Sequence, residues 1–580
     1  MRRRVLALSP LLAVPVTVAL AAHPSGAALS GAVLVDLTRT GFDQISEIAR
    51  FAVPATIAIP DIPYSDSIGF WVGTAYIDAL VSNLRVDMDV QALDLEPADG
   101  RIDLTLTAAL NLNDAADMMN FWVDIYVDSW PWDSDLGTVA DCDGYINPFT
   151  LDATATVSIA VVDDGINPPR IDATVGTIAW DWDLTGSDIY LRSCALGDVD
   201  EWFDDIFGFS PVDLLFDLLL PVLKNQVDAQ LQALRPTIEE TLESALAAAS
   251  FQDTVALGAT SMEIDVHPER VDISPEGVRV SAEGSFYAAP NPCVAEYGHT
   301  ESLETSSSAP ALGAAPSAIK GHHLGIIADD DFVNQGLFAL YSGGALCYSI
   351  TEGDGLPINT TLLTLLNRDA YSALFPETKP IIVQTRPAEV PVMVADGASD
   401  VNLEVKKLGV DFYGELDHRM ALVLGADLDV ATGANLAFDG KTGALGVEVG
   451  LGAEDITTTI RHNEFAPGED EAIAGAFAGL FDIVVEPVLS GALGDLTFPL
   501  PAIALEGETY GLARLDVAAS GPSLDRLGAY GWVDEVPYAA GAGCDGGGGC
   551  GGGCTMNGVP LQGLAFVGLP VLFGLIRRRR

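Results

Sequence analysis

Apolar and polar residues alternate one for one along much of this chain. Val86, Met88, Val90 and Ala92 interleave with Asp87, Asp89 and Gln91. The same spacing runs through Leu104–Thr107, Ala153–Ile159, Met262–Val266, Val278–Val280, Val401–Val405, Leu428–Val430 and Val447–Val449. A strand turns successive side chains to opposite faces, so this period predicts antiparallel sheet with one wet face. Gly, Pro, Asp and Asn separate the predicted strands. A helical period appears in few places. Ser210 and Pro211 supply an N-cap and a first helical residue. Beyond them Leu223, Val227, Leu231, Leu234, Ile238, Leu242 and Ala245 form one apolar stripe on a long amphipathic helix. Pro236 predicts a kink or a split in it. A second stripe is Ile473, Phe477, Leu480, Val484 and Val488, with Pro487 inside it. Short helices are predicted over Gly41–Arg50 and Asp331–Tyr341.

The helices repeat. Leu215-Phe216-Asp217 leads into Pro221-Val222-Leu223, and Leu480-Phe481-Asp482 leads into Pro487-Val488-Leu489. Gly41-Phe42-Asp43-Gln44 stands beside Asp331-Phe332-Val333-Asn334. Each half runs short helix, long strands, long amphipathic helix. The chain reads as two copies of one β-rich unit, one on each side of about residue 255. With 49% hydrophobic residues and only 19% charged, the 580 residues fold around cores, two or more at this length. The net charge is −54, and seven of the 28 basic residues sit in the two tails, so the body is more acidic still. That balance excludes nucleic acid as a partner and repels bare anionic headgroups.

Both tails read as addresses. Arg2–Arg4, an apolar stretch Val5–Ala22 broken by Pro10 and Pro15, and small residues near 19–27 make residues 1–28 a secretory signal peptide; an uncleaved anchor is the alternative. Near the other end Cys544, Cys550 and Cys554 punctuate a glycine run, 534–554. An apolar segment and four terminal arginines follow in 555–580. The apolar run just suffices to cross a bilayer, with the arginines inside and the body outside. This layout resembles the Myxo-type C-terminal sorting signals. The resemblance implies processing near one of the three cysteines and display at the cell surface or outer membrane, with release by proteolysis an option. A plain tail anchor on a Gly linker is the alternative. Of the other cysteines, Cys142, Cys194, Cys293 and Cys347 allow three pairings, and an exported compartment permits them. Cys142–Cys194 and Cys293–Cys347 keep each pair within one half.

Several motifs then point one way. Val33-Leu-Val-Asp-Leu-Thr-Arg-Thr-Gly41-Phe42-Asp-Gln is followed by Ile59-Pro60-Asp61 and Tyr64-Ser65-Asp66-Ser67. Leu324-Gly325-Ile326-Ile327 precedes Asp331-Phe332-Val333-Asn334-Gln335-Gly336-Leu337, and Phe498-Pro499-Leu500-Pro501 closes the series. In this order, over roughly residues 30–520, the chain resembles the bactericidal/permeability-increasing and lipopolysaccharide-binding protein family of the tubular lipid-binding superfamily. Cys142 and Cys194 fall where that family carries a disulfide. The resemblance implies an α+β boomerang of two pseudo-symmetric antiparallel β-barrels, residues 29–255 and 256–533. Each barrel would wrap a long amphipathic helix, and a central sheet would join them. It implies phospholipid or another acyl lipid in apolar tubular pockets, with no catalysis and no cofactor. Pocket candidates are Phe42, Ile45, Ile48, Phe216, Leu220, Leu223 and Val227 in the first half. In the second they are Phe332, Leu337, Leu340, Phe477, Leu480 and Val484. Ordinary core packing is the alternative for each.

The departures are specific. Antibacterial members of that family grip lipopolysaccharide phosphates with a cationic tip, but residues 84–117 carry only Arg85 and Arg101 among many acids. Endotoxin neutralisation is not carried over. The Ser-rich Thr300–Ser317 stretch and the Asp- and Trp-rich Trp122–Asp135 stretch have no family counterpart. Trp122, Trp130 and Trp132 form either a membrane-touching lip or a packed barrel end. Asp87/Asp89, Asp427/Asp429 and Asp329-Asp330-Asp331 read as a solvated face, with calcium binding the alternative, although no calcium loop surrounds them. His322-His323 lacks partners at metal-ligand spacing, and neither a nucleophile elbow nor a phosphate loop is present. The rival to a monomeric lipid binder is a surface adhesin with side-chain-filled barrels, which needs no amphipathic helix.

Overall fold

The computed structural model describes residues 26–537 apart from 51–55, 71–72, 114–116, 130–131, 166–167, 186–187, 193–210, 247–248, 258–259, 300–307, 352–357, 396–400, 442–443, 450–454, 478–496, 500–501 and 506–507. Residues 1–25, the residues from 538 on with Cys544, Cys550 and Cys554, and Cys194, Leu480 and Val484 lie outside the described residues. Three antiparallel sheets and a few helices make an α+β fold.

The central sheet has eight strands. In spatial order they are β12 (Phe251–Leu257), β13 (Thr260–Ser274), β14 (Gly277–Ala288), β1 (Leu29–Thr38), β15 (Leu324–Asp329), β26 (Arg526–Glu535), β25 (Glu508–Ser520) and β24 (Ala502–Leu505). The order is symmetric about its middle. Two groups of four strands, β12, β13, β14 and β1 on one side and β15, β26, β25 and β24 on the other, meet where β1 pairs with β15, Val35 opposite Ile326. Each group has an opening strand, β1 or β15, at the middle and a three-stranded meander outside it.

The first outer sheet is a meander of five long strands, most of them interrupted. β2 (Thr56–Ile59) and β3 (Ile62–Phe70) lie in series, as do β4 (Gly73–Ser82) with β5 (Leu84–Ala98) and β6 (Arg101–Leu112) with β7 (Met119–Ser129). β8 (Trp132–Val162) is the fourth, running past both β7 and β6. β9 (Arg170–Val175), β10 (Ala179–Trp182) and β11 (Ile189–Arg192) line its other edge as the fifth. Asn83 and Asn113 make the breaks, both at positive φ, where asparagine is among the better-tolerated side chains. Their amides lock the bends: Asn113 Nδ2 donates to the carbonyls of Asn83 and Asp117, and Asn83 Nδ2 to that of Met118, each at 2.8 Å.

The second outer sheet repeats the plan. Its strands are β16 (Ser349–Ile350), β17 (Ile381–Pro387), β18 (Val392–Ala395), β19 (Val401–Leu416), β20 (Arg419–Asp439), β21 (Ala444–Val449), β22 (Ile456–His462) and β23 (Thr497–Pro499). β17 and β18 lie in series along β19, and β21 and β22 along β20.

Two helices follow the opening strands, as the sequence predicts: α1 (Arg39–Arg50) after β1 and α3 (Asp330–Ser342) after β15. The long α2 (Pro211–Leu246) continues unbroken through Pro221 and Pro236, so the second proline does not split it. Two short helices, α4 (Thr360–Leu366) and α5 (Arg368–Leu374), were not expected; Asn359 and Asn367 cap them. Residues 470–477 are also helical.

The expected closed barrels are not formed among the described residues. In the first outer sheet the path ends at β2 and β3, and β9 pairs only with β8. The physical reason is α2, which packs against both β9 and β3 and occupies the gap where the edges would meet. In the second sheet the path ends at β16 and β23 without a further pairing.

Candidate functional site: two apolar faces under helices

Inward residues of the first meander are apolar. Ile77, Ile102, Leu104, Leu106, Leu151 and Val157 are all buried in one continuous cluster. Over them α2 lays Leu223, Val227, Leu231 and Leu242, also buried, with Leu220 partly so. Phe42 on α1 is fully buried in the same cluster, and Ile45 packs against it. Ile48 is half-buried on the same helix. The side chain of Phe216 lies outside the described residues, although its backbone is part of α2.

The second half divides its candidates. Phe332, Leu337 and Leu340 on α3 are buried, but in the large cluster shared with the central sheet. Phe332 lies against Phe286 of β14, ring centroids 4.5 Å apart. Phe477 belongs to a separate cluster under the second meander, edge-on to Phe412 at 5.7 Å. Tyr371 of α5 is in that second cluster, fully buried, and its hydroxyl has no hydrogen-bond partner. Loss of water around the phenol, with the charge of Asp470 adding, pushes its pKa up to about 12. It is a neutral donor at every physiological pH.

A polar stripe runs beside the apolar stripe of α2, and it fastens the helix to the fifth strand. The Lys224 ammonium lies 5.8 Å from the Trp182 ring centroid, and Trp180 Nε1 donates to Asp228 at 3.3 Å. Farther along, the backbone N–H of Val175 donates to Glu239 at 2.8 Å, and that of Ala173 to Glu243 at 3.0 Å. Arg235 Nη2 donates to the carbonyl of Val175 at 2.5 Å. Helix carboxylates thus take the place of the carbonyls of a sixth strand. No apolar period marks this stripe in the sequence. Its signal is charge at 224, 228, 235, 239 and 243, mostly four apart, directly beside the apolar positions.

The remaining motifs have structural partners. Cys293 and Cys347 are joined by a disulfide, and Cys142 is disulfide-bonded as well. The three carboxylates of Asp329, Asp330 and Asp331 lie within 4.8 Å of one another, but Asp329 caps α3 and pairs with buried Arg526 at 2.5 Å. Asp87 accepts from Arg85 and Thr56, Asp427 pairs with Arg461, and Asp429 accepts from the Lys407 N–H. The end of the Ser-rich stretch is a strap over a buried ion pair: Pro310 and Ala311 accept from Arg279, and the Gly313 N–H donates to Asp36. Trp122 is half-buried, with Nε1 donating to Thr138 at 3.2 Å. Among the described residues no helix is long and apolar enough to cross a membrane.

Compared with known proteins, the chain matches no family description and no curated protein. Among solved structures it is similar to lipopolysaccharide binding protein, at 13% identity and TM-score 0.44, over 87% of this chain and 100% of that one. It is also similar to P47 of Clostridium botulinum E1 (9% identity, TM-score 0.22, 87% and 98% covered). P47 from Clostridium botulinum A2 gives 9% identity and TM-score 0.25, with 86% and 96% covered.

Proposed function

We propose that this protein binds acyl lipid without catalysis, holding it between the apolar face of each outer meander and the helix laid over it. The observation that carries the reading is α2. A sheet whose inner face is apolar from edge to edge is covered by an amphipathic helix rather than closed on itself. Such a helix can shift outward and admit an apolar chain, because no strand ladder has to break. Burying an acyl chain gains about 0.8 kcal/mol per methylene, so binding needs no cationic grip. The acidic exterior suits a carrier of zwitterionic or uncharged lipid better than a binder of lipopolysaccharide phosphates. The two tails support export and display at the cell surface, with transfer or sequestration as the task.

The test is native mass spectrometry and lipid extraction on the full chain from an exporting host. One or two lipids per chain are expected. Leu223→Asp should lower that number while the protein stays folded. A folded wild-type chain that carries no lipid and takes up no fluorescent phospholipid would support the adhesin instead.

A further inference from the structure

The seam between α2 and β9 has features that ordinary core packing does not need. The strand edge there is bonded to side chains, not to another strand. Val175 and Ala173, two residues apart, point both N–H groups out of the sheet toward the helix. Glu239 and Glu243, one helical turn apart, receive them, and Arg235, a turn earlier, returns one bond to the Val175 carbonyl. Three separate side-chain bonds can break one at a time, whereas a strand ladder opens as a unit. The row also includes an unmet donor: Arg235 Nε is buried and without an acceptor. Directly after it stands Pro236, which has no N–H to give to the preceding helical turn. The helix therefore lacks a bond of its own ladder where it is fastened to the sheet. Behind the bonds the wall is apolar on both sides, with Ile171, Ala173 and Val175 on the strand and Leu231 and Leu242 on the helix.

We propose that Arg235, Glu239 and Glu243 form a latch along this seam, and that lipid passes in and out of the first apolar chamber sideways through it. The proposal rests on the lipid-binding reading above. The latch sets the rate of exchange, while the apolar faces behind it set how much lipid is held. Alanine at both glutamates removes the acceptors. Glutamine keeps a carbonyl oxygen at each position and preserves the bonds.

The experiment uses the full chain and phosphatidylcholine vesicles carrying a fluorescent phosphatidylcholine. Lipid content is measured by extraction, and transfer by the rate of dequenching. Glu239→Ala with Glu243→Ala should speed transfer at least tenfold with lipid content near that of wild type, and Glu239→Gln with Glu243→Gln should stay within about twofold. Hydrogen exchange on the wild-type chain gives a second reading, independent of whether the alanine pair folds. The peptide covering 170–176 should exchange at least tenfold faster than the one covering 102–110. Transfer unchanged in a folded alanine pair that holds lipid overturns the latch, and so does equal protection of the two peptides. A wild-type chain without lipid instead overturns the reading beneath it.

Discussion

Removing the carboxylate of Asp36 should be among the most damaging single changes outside the apolar cores. Asp36 on β1 and Arg279 on β14 are direct cross-strand partners in the central sheet, 1% and 7% exposed. The guanidinium meets the carboxylate with two bonds, Nε to Oδ1 and Nη2 to Oδ2, both 2.6 Å. In Asp36→Ala the arginine keeps only the carbonyls of Pro310 and Ala311, and the Gly313 N–H loses its acceptor. Two charge-assisted bonds are lost at about 1.5–3 kcal/mol each, and a buried cation is stranded. Part is recovered as water reaches the site, so the cost is about 3–5 kcal/mol. The double change Asp36→Leu with Arg279→Met removes both charges and should cost less than the single one. The assay is urea denaturation followed by hydrogen exchange in β1 and β14, with proteolysis near 308–313 reporting release of the strap. A loss below about 1 kcal/mol for Asp36→Ala, or a double variant worse than the single, would refute the argument that pairing within the sheet matters more than the charges themselves.

Three further outcomes follow from other buried groups. Burial holds the pKa of His322 and of His323 below the ordinary imidazole value. The unfolded chain therefore binds more protons than the folded one below about pH 6.5, and stability should fall as pH drops through that window. Thermal melting at pH 7.5 and pH 5 should show this, and His322→Asn with His323→Asn should flatten it. Tyr371→Phe removes a buried hydroxyl without a partner and should raise stability by about 1 kcal/mol, read from the denaturation midpoint. Gly277→Ala should cost about 1–3 kcal/mol, because Gly277 has φ +143° and an added Cβ would stand 2.2 Å from the Leu37 carbonyl; Gly100→Ala, with open space around it, is the comparison for packing.

Periodicity made the faces legible, and it could not make the edges so. The alternation at 86–92 places Val86 inward in β5, and a bulge between Val90 and Ala92 then shifts the phase, so that Leu93 and Leu95 face in. The stripe of α2 stood out because its apolar positions from Leu223 to Leu242 repeat over several turns. The seven-residue α4 did not, since Thr360–Leu366 is too short to separate a helical period from an apolar run. Nothing in an alternating pattern tells which strand lies beside which, so the expectation of closed barrels came from resemblance alone. The apolar stripe of α2 from Leu223 onward follows from its spacing, but the spacing assigns no role to its charged positions. A charged residue beside an apolar stripe has the same spacing whether it meets water or the backbone of a strand.

The charged half of α2 is one case of a wider arrangement in this chain. Ser46 of α1 accepts from the Leu95 N–H of β5 at 2.9 Å. On α3, Asn334 accepts from the Met393 N–H of β18 at 2.8 Å, and Gln335 from the Phe286 N–H of β14 at 2.9 Å. In each case a helix side chain satisfies a backbone donor that a neighbouring strand would otherwise take. A buried amide left without any acceptor costs about 1–3 kcal/mol, so these polar residues are required where the strand order stops. The same choice has a consequence for motion. A donor held by a neighbouring strand is released only when the ladder parts, while a donor held by a helix side chain is released by one rotamer change. The sheets keep their register through strand pairing, while the helices over them are fastened by individual side-chain bonds. Both properties suit the lipid exchange proposed above, in which the sheet holds its shape while an apolar guest enters and leaves.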